Sequence, residues 1–135
     1  MAATKVQTAF AGQADLRCAE QAQQLGTGHA LQQAMPAVPG AARVLVLCGD
    51  APLIRADTLR RMLDFPGHLV VLAAELEDPT GYGRLVLDAQ GRVAAIVEQN
   101  DVDERQHGIR LVNTGIVLAE AGRLNGWRAR LRNWS

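Results

Sequence analysis

Aromatic residues are scarce in this sequence, at 4% of 135 positions, so whatever core it builds is aliphatic. Lysine is scarcer still, Lys5 standing against thirteen arginines. Excess charge of either sign is absent, because 14 basic residues balance 14 acidic ones. A neutral total supplies no broad field to draw in nucleic acid or an anionic membrane. Two cysteines, Cys18 and Cys48, are too few for a disulfide framework. Cys48 sits in an apolar run, where a free thiol acts as a small hydrophobe, and the pair reads as a reducing cytoplasm. No apolar run is long enough to span a bilayer. Met1-Ala2-Ala3-Thr4-Lys5 lacks the apolar stretch of a signal peptide.

What is present is enough for one domain. Residues 1–24 are polar and Ala/Gln-rich, with weak periodicity, followed by a Gly-punctuated loop. A short helix is expected over His29 to Met35, with Thr27 as cap and Pro36 as stop. Arg43 to Leu47 is a continuous apolar strand, expected to be covered on both faces as in a parallel sheet. Asp57 can cap a helix carrying Leu59, Met62 and Leu63 at i, i+3, i+4, and Pro66-Gly67 ends it. Leu69 to Leu76 reads as a second buried strand, so strand, helix and strand fit one right-handed crossover. Arg84 to Leu87 and Arg92 to Glu98 flank Asp88-Ala89-Gln90-Gly91, a hairpin turn with Gly at the left-handed position. Ile109 to Ala119 is a further strand, broken by Asn113-Thr114-Gly115. Leu124, Trp127 and Leu131 then predict a helix with a basic face. The sum is an α/β domain with a mixed sheet.

Val44-Leu45-Val46-Leu47-Cys48-Gly49-Asp50 delivers a carboxylate to the end of an apolar strand. Ligands in open α/β sheets sit beyond such ends. Gly49 removes a side chain just before Asp50, so a ligand or a hard divalent cation can approach. The plainer reading is a turn, since Ala51-Pro52 follow.

Five segments occur in order: Gln21 to Ala30 (QAQQLGTGHA), Leu47 to Ile54 (LCGDAPLI), Asp78 to Arg84 (DPTGYGR), Ile96 to Glu98, and Val112 to Ile116 (VNTGI). Together they resemble the N-terminal uridyltransferase domain of the bifunctional bacterial UDP-N-acetylglucosamine pyrophosphorylase/glucosamine-1-phosphate N-acetyltransferase family. The resemblance covers residues 7–135, leaving 1–6 as an unrelated or disordered leader. It implies one partial domain of Rossmann-like nucleotidyltransferase fold. The implied reaction is UMP transfer from UTP to N-acetylglucosamine 1-phosphate, giving UDP-N-acetylglucosamine and pyrophosphate with Mg²⁺. By the same resemblance Gln21, Gly26 and Thr27 lie against the uracil, Asp50 binds metal, and Gly83, Glu98 and Asn113 hold the N-acetylglucosamine moiety. No partner nucleic acid or membrane is implied.

The sequence departs from the family at its ends. The first strand and Gly-rich loop that hold the triphosphate are not found before Gln21, and no hexapeptide-repeat acetyltransferase domain follows. The expectation is therefore a chain truncated at both ends, close to inactive alone and prone to self-association through open sheet edges. The alternative is a non-catalytic module that binds nucleotide sugars. A related sugar-nucleotide or cytidylyl transferase is a third reading. Arg128, Arg130, Arg132 and Trp134 beside Trp127 could suggest nucleic-acid binding, but amphipathic packing accounts for them better.

Overall fold

The computed structural model describes residues 2–127. They fall into two compact units. One is built from residues up to Arg43 and from Glu120 onward, the other from Val44–Ala119.

The first unit opens with helix α1, Ala2–Ala9, whose described side chains from Lys5 on are exposed. Residues 2–6 thus lie within a helix. Helix α2 spans Thr27–Ala34 and runs into a 3₁₀ turn, Met35–Ala37, that takes in Pro36. Its N-cap is Gly26, at φ +90°, and no side chain caps it. Thr27 is therefore the first helical residue and not the cap. Gly26 is a tolerated cap because it reaches positive φ without a Cβ clash. Met35, Ala121 and Leu124 are buried, and the Ala121 amide donates to the Ala42 carbonyl at 2.9 Å. Helix α4 starts at Ala121 and is described to Trp127. Leu131, Arg128, Arg130, Arg132 and Trp134 lie outside the described residues.

The second unit is a five-stranded sheet with one helix against it. Strand β1 is Arg43–Val46, β2 Leu69–Glu75, β3 Arg84–Leu87, β4 Val93–Val97 and β5 Leu111–Glu120. β5 is the hub, pairing with β1, β2 and β3, while β4 pairs with β3 at the end of the order β1-β5-β3-β4. The β2–β5, β3–β4 and β3–β5 pairings are antiparallel. Val112 pairs with Ala74 of β2 and with Arg84 of β3, so those strands flank β5 from opposite sides.

Helix α3, Ala56–Asp64, covers one face. Met62 joins Ile116 and Leu118 in the core, with Leu45, Ile54, Leu59, Val70 and Leu72 packed around them. The expected apolar stripe is narrower than the sequence suggested, for Leu63 is 44% exposed. Nor does Asp57 cap α3: the N-cap is Arg55, without a side-chain cap bond, and Asp57 sits in the first turn beside Arg55. A carboxylate there still suits the positive end of the helix.

β1 and β2 are not the doubly covered strands expected. Val44 to Val46 are half-buried and Leu47 is exposed, and Leu69 at the start of β2 is exposed too. Full burial belongs to β5, through Ile116 to Ala119, and to Arg84 and Leu85 of β3. The hairpin turn between β3 and β4 forms as expected. Gly91 takes φ +75°, and Asp88 Oδ1 accepts from the Gln90 and Arg92 amides at 2.9 Å each. Those bonds, with the Arg92 amide's contribution the largest cause, hold the Asp88 carboxyl below its ordinary value.

β5 contains the interruption seen in the sequence as Asn113-Thr114-Gly115. Val71 pairs with Val117 and Ala73 with Asn113. Thr114 to Ile116 therefore lie opposite the single residue Leu72, a bulge. Thr114 Oγ1 donates to the Leu72 carbonyl at 2.7 Å, and Gly115 takes φ +78°.

Candidate functional site

Two antiparallel pairings meet at Gly83. Arg84 faces Val97 across the hairpin and Val112 across β5. Stepping each register back by one residue sets Gly83 opposite both Glu98 and Asn113. The bonds agree: the Asn113 amide donates to the Gly83 carbonyl at 2.9 Å. Directly opposed residues of antiparallel strands project from the same face. Glu98 and Asn113 therefore flank a position that has no side chain. The gap between their backbones is two strand spacings, roughly 9–10 Å.

Gly83 is needed there for space. A Cβ built on it would stand 3.3 Å from Ile96 Cγ2 and 3.5 Å from each Glu98 carboxylate oxygen. The carboxylate thus lies across the floor of the notch. Glu98 and Asn113 are half-buried, placed to meet a ligand without leaving water wholly. Asn113 Oδ1 accepts from the Gly115 amide at 3.0 Å, so the bulge orients the side-chain amide. An ionised carboxylate accepts hydrogen bonds, and a primary amide both donates and accepts them.

Asp50 ends the exposed turn after β1. Among the described residues no hydrogen bond or ion pair ties it to Gly83, Glu98 or Asn113. Cys48, two residues earlier, is the link to β5: its thiol donates to the Thr114 carbonyl at 4.0 Å. A Cβ on Gly49 would meet nothing within 4 Å, so the approach to Asp50 is open. Among the described residues no three His, Cys, Asp or Glu side chains converge as a cation cage.

The remaining candidates belong to the first unit. Gln21 Nε2 donates to the Gly26 carbonyl at 3.0 Å and lies 3.0 Å from His29 Nδ1. Gln33 Nε2 lies 3.2 Å from the other ring nitrogen, His29 Nε2. Gln21 is therefore no free surface side chain. Its amide nitrogen is committed to the Gly26 carbonyl. Thr27 is exposed.

Sequence reasoning missed two residues beside the notch. Arg84 is 2% exposed. Its Nη1 donates to the carbonyls of Pro79, at 2.7 Å, and of Tyr82, and its Nη2 to Gln99 Oε1 at 3.1 Å. Gln99 Oε1 also accepts from the Gly81 amide at 2.9 Å. The one available signal was an arginine immediately after Gly-Tyr-Gly at the head of an apolar strand. Asp78 stands in the same loop. Its carboxyl is held below the ordinary value, first by its bonds to Thr80 and less by the charge of Arg84.

The family described as the MobA-like NTP transferase domain matches residues 2–113. This chain belongs to that family. As an NTP transferase domain it is also similar to the bifunctional protein GlmU of Xanthomonas axonopodis pv. citri (strain 306), 60% identical over 129 residues, which cover 96% of this chain and 28% of that protein. It is 61% identical over 124 residues to the bifunctional protein GlmU of Stenotrophomonas maltophilia (strain R551-3), covering 92% of this chain and 27% of that one. The GlmU of Xanthomonas oryzae pv. oryzae (strain MAFF 311018) is 59% identical over 129 residues. The chain thus spans little more than a quarter of the length of the curated relatives it matches. The α/β nucleotidyltransferase expectation agrees with these findings. No helix among the described residues is long and apolar enough to cross a membrane.

Proposed function

We propose that this NTP transferase domain holds the base and the sugar in uridylyl transfer from UTP to N-acetylglucosamine 1-phosphate. In that reaction a phosphate oxygen of the sugar phosphate attacks the α-phosphorus in line. The bond from that phosphorus to the β-phosphate oxygen breaks, and pyrophosphate leaves. Such chemistry rests on positioning and charge neutralisation more than on a protein nucleophile. The observation that carries the reading is the Gly83 notch, floored by Glu98 and flanked by Asn113. We assign these three to the N-acetylglucosamine moiety, and Gln21, Gly26 and Thr27 to the uracil.

A divalent cation, here Mg²⁺, neutralises charge on the phosphates when it is bound. The residues fit it. Mg²⁺ on a nucleotide takes one or two carboxylates plus phosphate and water oxygens, not a cage. Asp50, exposed beside open space at Gly49, is the side chain we assign to it. Residues 7–135 would act as one such domain, in the cytoplasm, without nucleic acid or membrane. Self-association is favoured by β4, an end strand with Val93 to Ala95 exposed.

Residues 2–20 form α1 and turns and contain no Gly-rich phosphate loop. Amides that would hold the triphosphate are therefore not supplied from that stretch. This favours a second reading, in which the 135-residue chain binds nucleotide sugar without turning it over. Calorimetric titration with Mg²⁺ tests both. UDP-N-acetylglucosamine and UTP are expected to bind, with CTP and dTTP at least tenfold weaker, and pyrophosphate release is expected near background. Equal affinity for the three nucleotides would overturn the uridine assignment. Absence of nucleotide-sugar binding would overturn the site.

A further inference from the structure

Arg84 is an unusual residue to bury. Its guanidinium carries a full charge, yet among the described residues no carboxylate reaches it within ion-pair distance, and its bonds go to two carbonyls and one amide oxygen. Its Nε is buried with no hydrogen-bond partner, alone in this among the described side-chain nitrogens and oxygens. A buried cation with no carboxylate in contact, felt only at longer range by Asp78 of the same loop, and with one donor unmet, is unfavourable for stability by itself. An apolar residue in β3 would pack the sheet at lower cost.

The bonds it makes all serve one place. Strand alternation turns Arg84 to the face opposite Gly83, and Gln99, first residue of the 3₁₀ turn Gln99–Asp101 that follows β4, meets Arg84 there. Nη1 gathers the carbonyls of Pro79 and Tyr82, the loop that leads into Gly83. Nη2 and the Gly81 amide share Gln99 Oε1. Gln99 directly follows Glu98. One oxygen thus ties the loop carrying Gly83 to the residue carrying the floor carboxylate. An arginine fork can hold three acceptors in fixed directions, whereas a lysine ammonium is a point donor on a flexible stem.

We propose that Arg84 and Gln99 are positioning residues that set the width of the notch and hold the Glu98 carboxylate against Gly83, and so govern recognition of the sugar half of a nucleotide sugar. This rests on assigning the notch to the sugar. Neither side chain need touch the ligand. The clasp acts through the backbone of the Pro79–Gly83 loop and of Glu98-Gln99.

Gln99→Ala is the informative variant, because Gln99 is half-buried and its loss leaves the core intact. With the 135-residue chain and Mg²⁺, its affinity for UDP-N-acetylglucosamine should fall about tenfold relative to wild type. Its affinity for UTP, which has no sugar beyond the ribose, should stay within twofold. Gln99→Glu keeps an acceptor for both Gly81 and Arg84 and should restore sugar-nucleotide affinity to within about threefold of wild type. Arg84→Lys should resemble Gln99→Ala. Unchanged sugar-nucleotide affinity in Gln99→Ala, or an equal loss for both ligands, would overturn the positioning role and leave the notch assignment standing. A wild-type chain that binds UTP but gains nothing from the sugar would sink both.

Discussion

Gly115→Ala is expected to destabilise the Val44–Ala119 unit by about 2–5 kcal/mol, from two independent sources. Gly115 takes φ +78° within the β5 bulge. A residue with a Cβ is disfavoured there by about 1–2 kcal/mol. The new Cβ would also stand 3.0 Å from Cys48 Sγ. Cys48 is itself held toward β5 by the Thr114 carbonyl, so relief requires β1 or the bulge to shift. Overpacking of that kind adds about 1–3 kcal/mol. In thermal denaturation the variant should melt roughly 10 °C lower, at about 2–4 °C or more per kcal/mol. Cys48→Ala combined with Gly115→Ala separates the two sources. The double variant should recover the packing part and keep the dihedral part. Stability of Gly115→Ala within 0.5 kcal/mol of wild type, the range of ordinary surface changes, would contradict the bulge geometry.

The second large effect concerns the notch floor. Glu98→Ala should weaken UDP-N-acetylglucosamine binding by about 10- to 150-fold, because a hydrogen bond to a charged group contributes roughly 1.5–3 kcal/mol. UTP affinity should change little, since the carboxylate lies against Gly83 and not in the unit that holds Gln21 and Gly26. Stability should change little as well, because Glu98 is half-buried at the end of β4 and its carboxylate belongs to no ion pair described here. Glu98→Gln preserves shape and one acceptor and should fall between the two. Calorimetric titration of both ligands reads the split. A parallel loss for UTP and the nucleotide sugar would move Glu98 away from the sugar.

Some of this was legible along the chain and some was not. The β3–β4 hairpin was readable because its information is local: Asp88, Gln90, Gly91 and Arg92 make the turn among themselves. Asn113 was readable as a polar residue inside an apolar strand. That Gly83, Glu98 and Asn113 form one row was not readable from spacing. It depends on two strand registers, which residues 15 apart do not encode locally. The resemblance to a family singled these residues out, and the pairing sets them side by side. Arg84, though part of the DPTGYGR segment, drew no role of its own because an arginine is ordinarily exposed. Its burial follows from a loop that folds back over it and from Gln99 on another strand end. Leu47 and Leu69 misled in the opposite sense. An apolar run does not tell what covers its far face. Thr27 and Asp57 each have the chemistry of a cap but lie inside their helices, because the chain turned one or two residues earlier, at Gly26 and Arg55.

Backbone amide spectra of the ¹⁵N-labelled chain, taken with UDP and then with UDP-N-acetylglucosamine, address the notch itself. The difference between the two isolates the sugar. The account requires that difference to centre on Gly83, Glu98 and Asn113, with a smaller effect carried to Gly81 and Gln99. Sugar-dependent shifts confined to other residues, with those three unmoved, would contradict it.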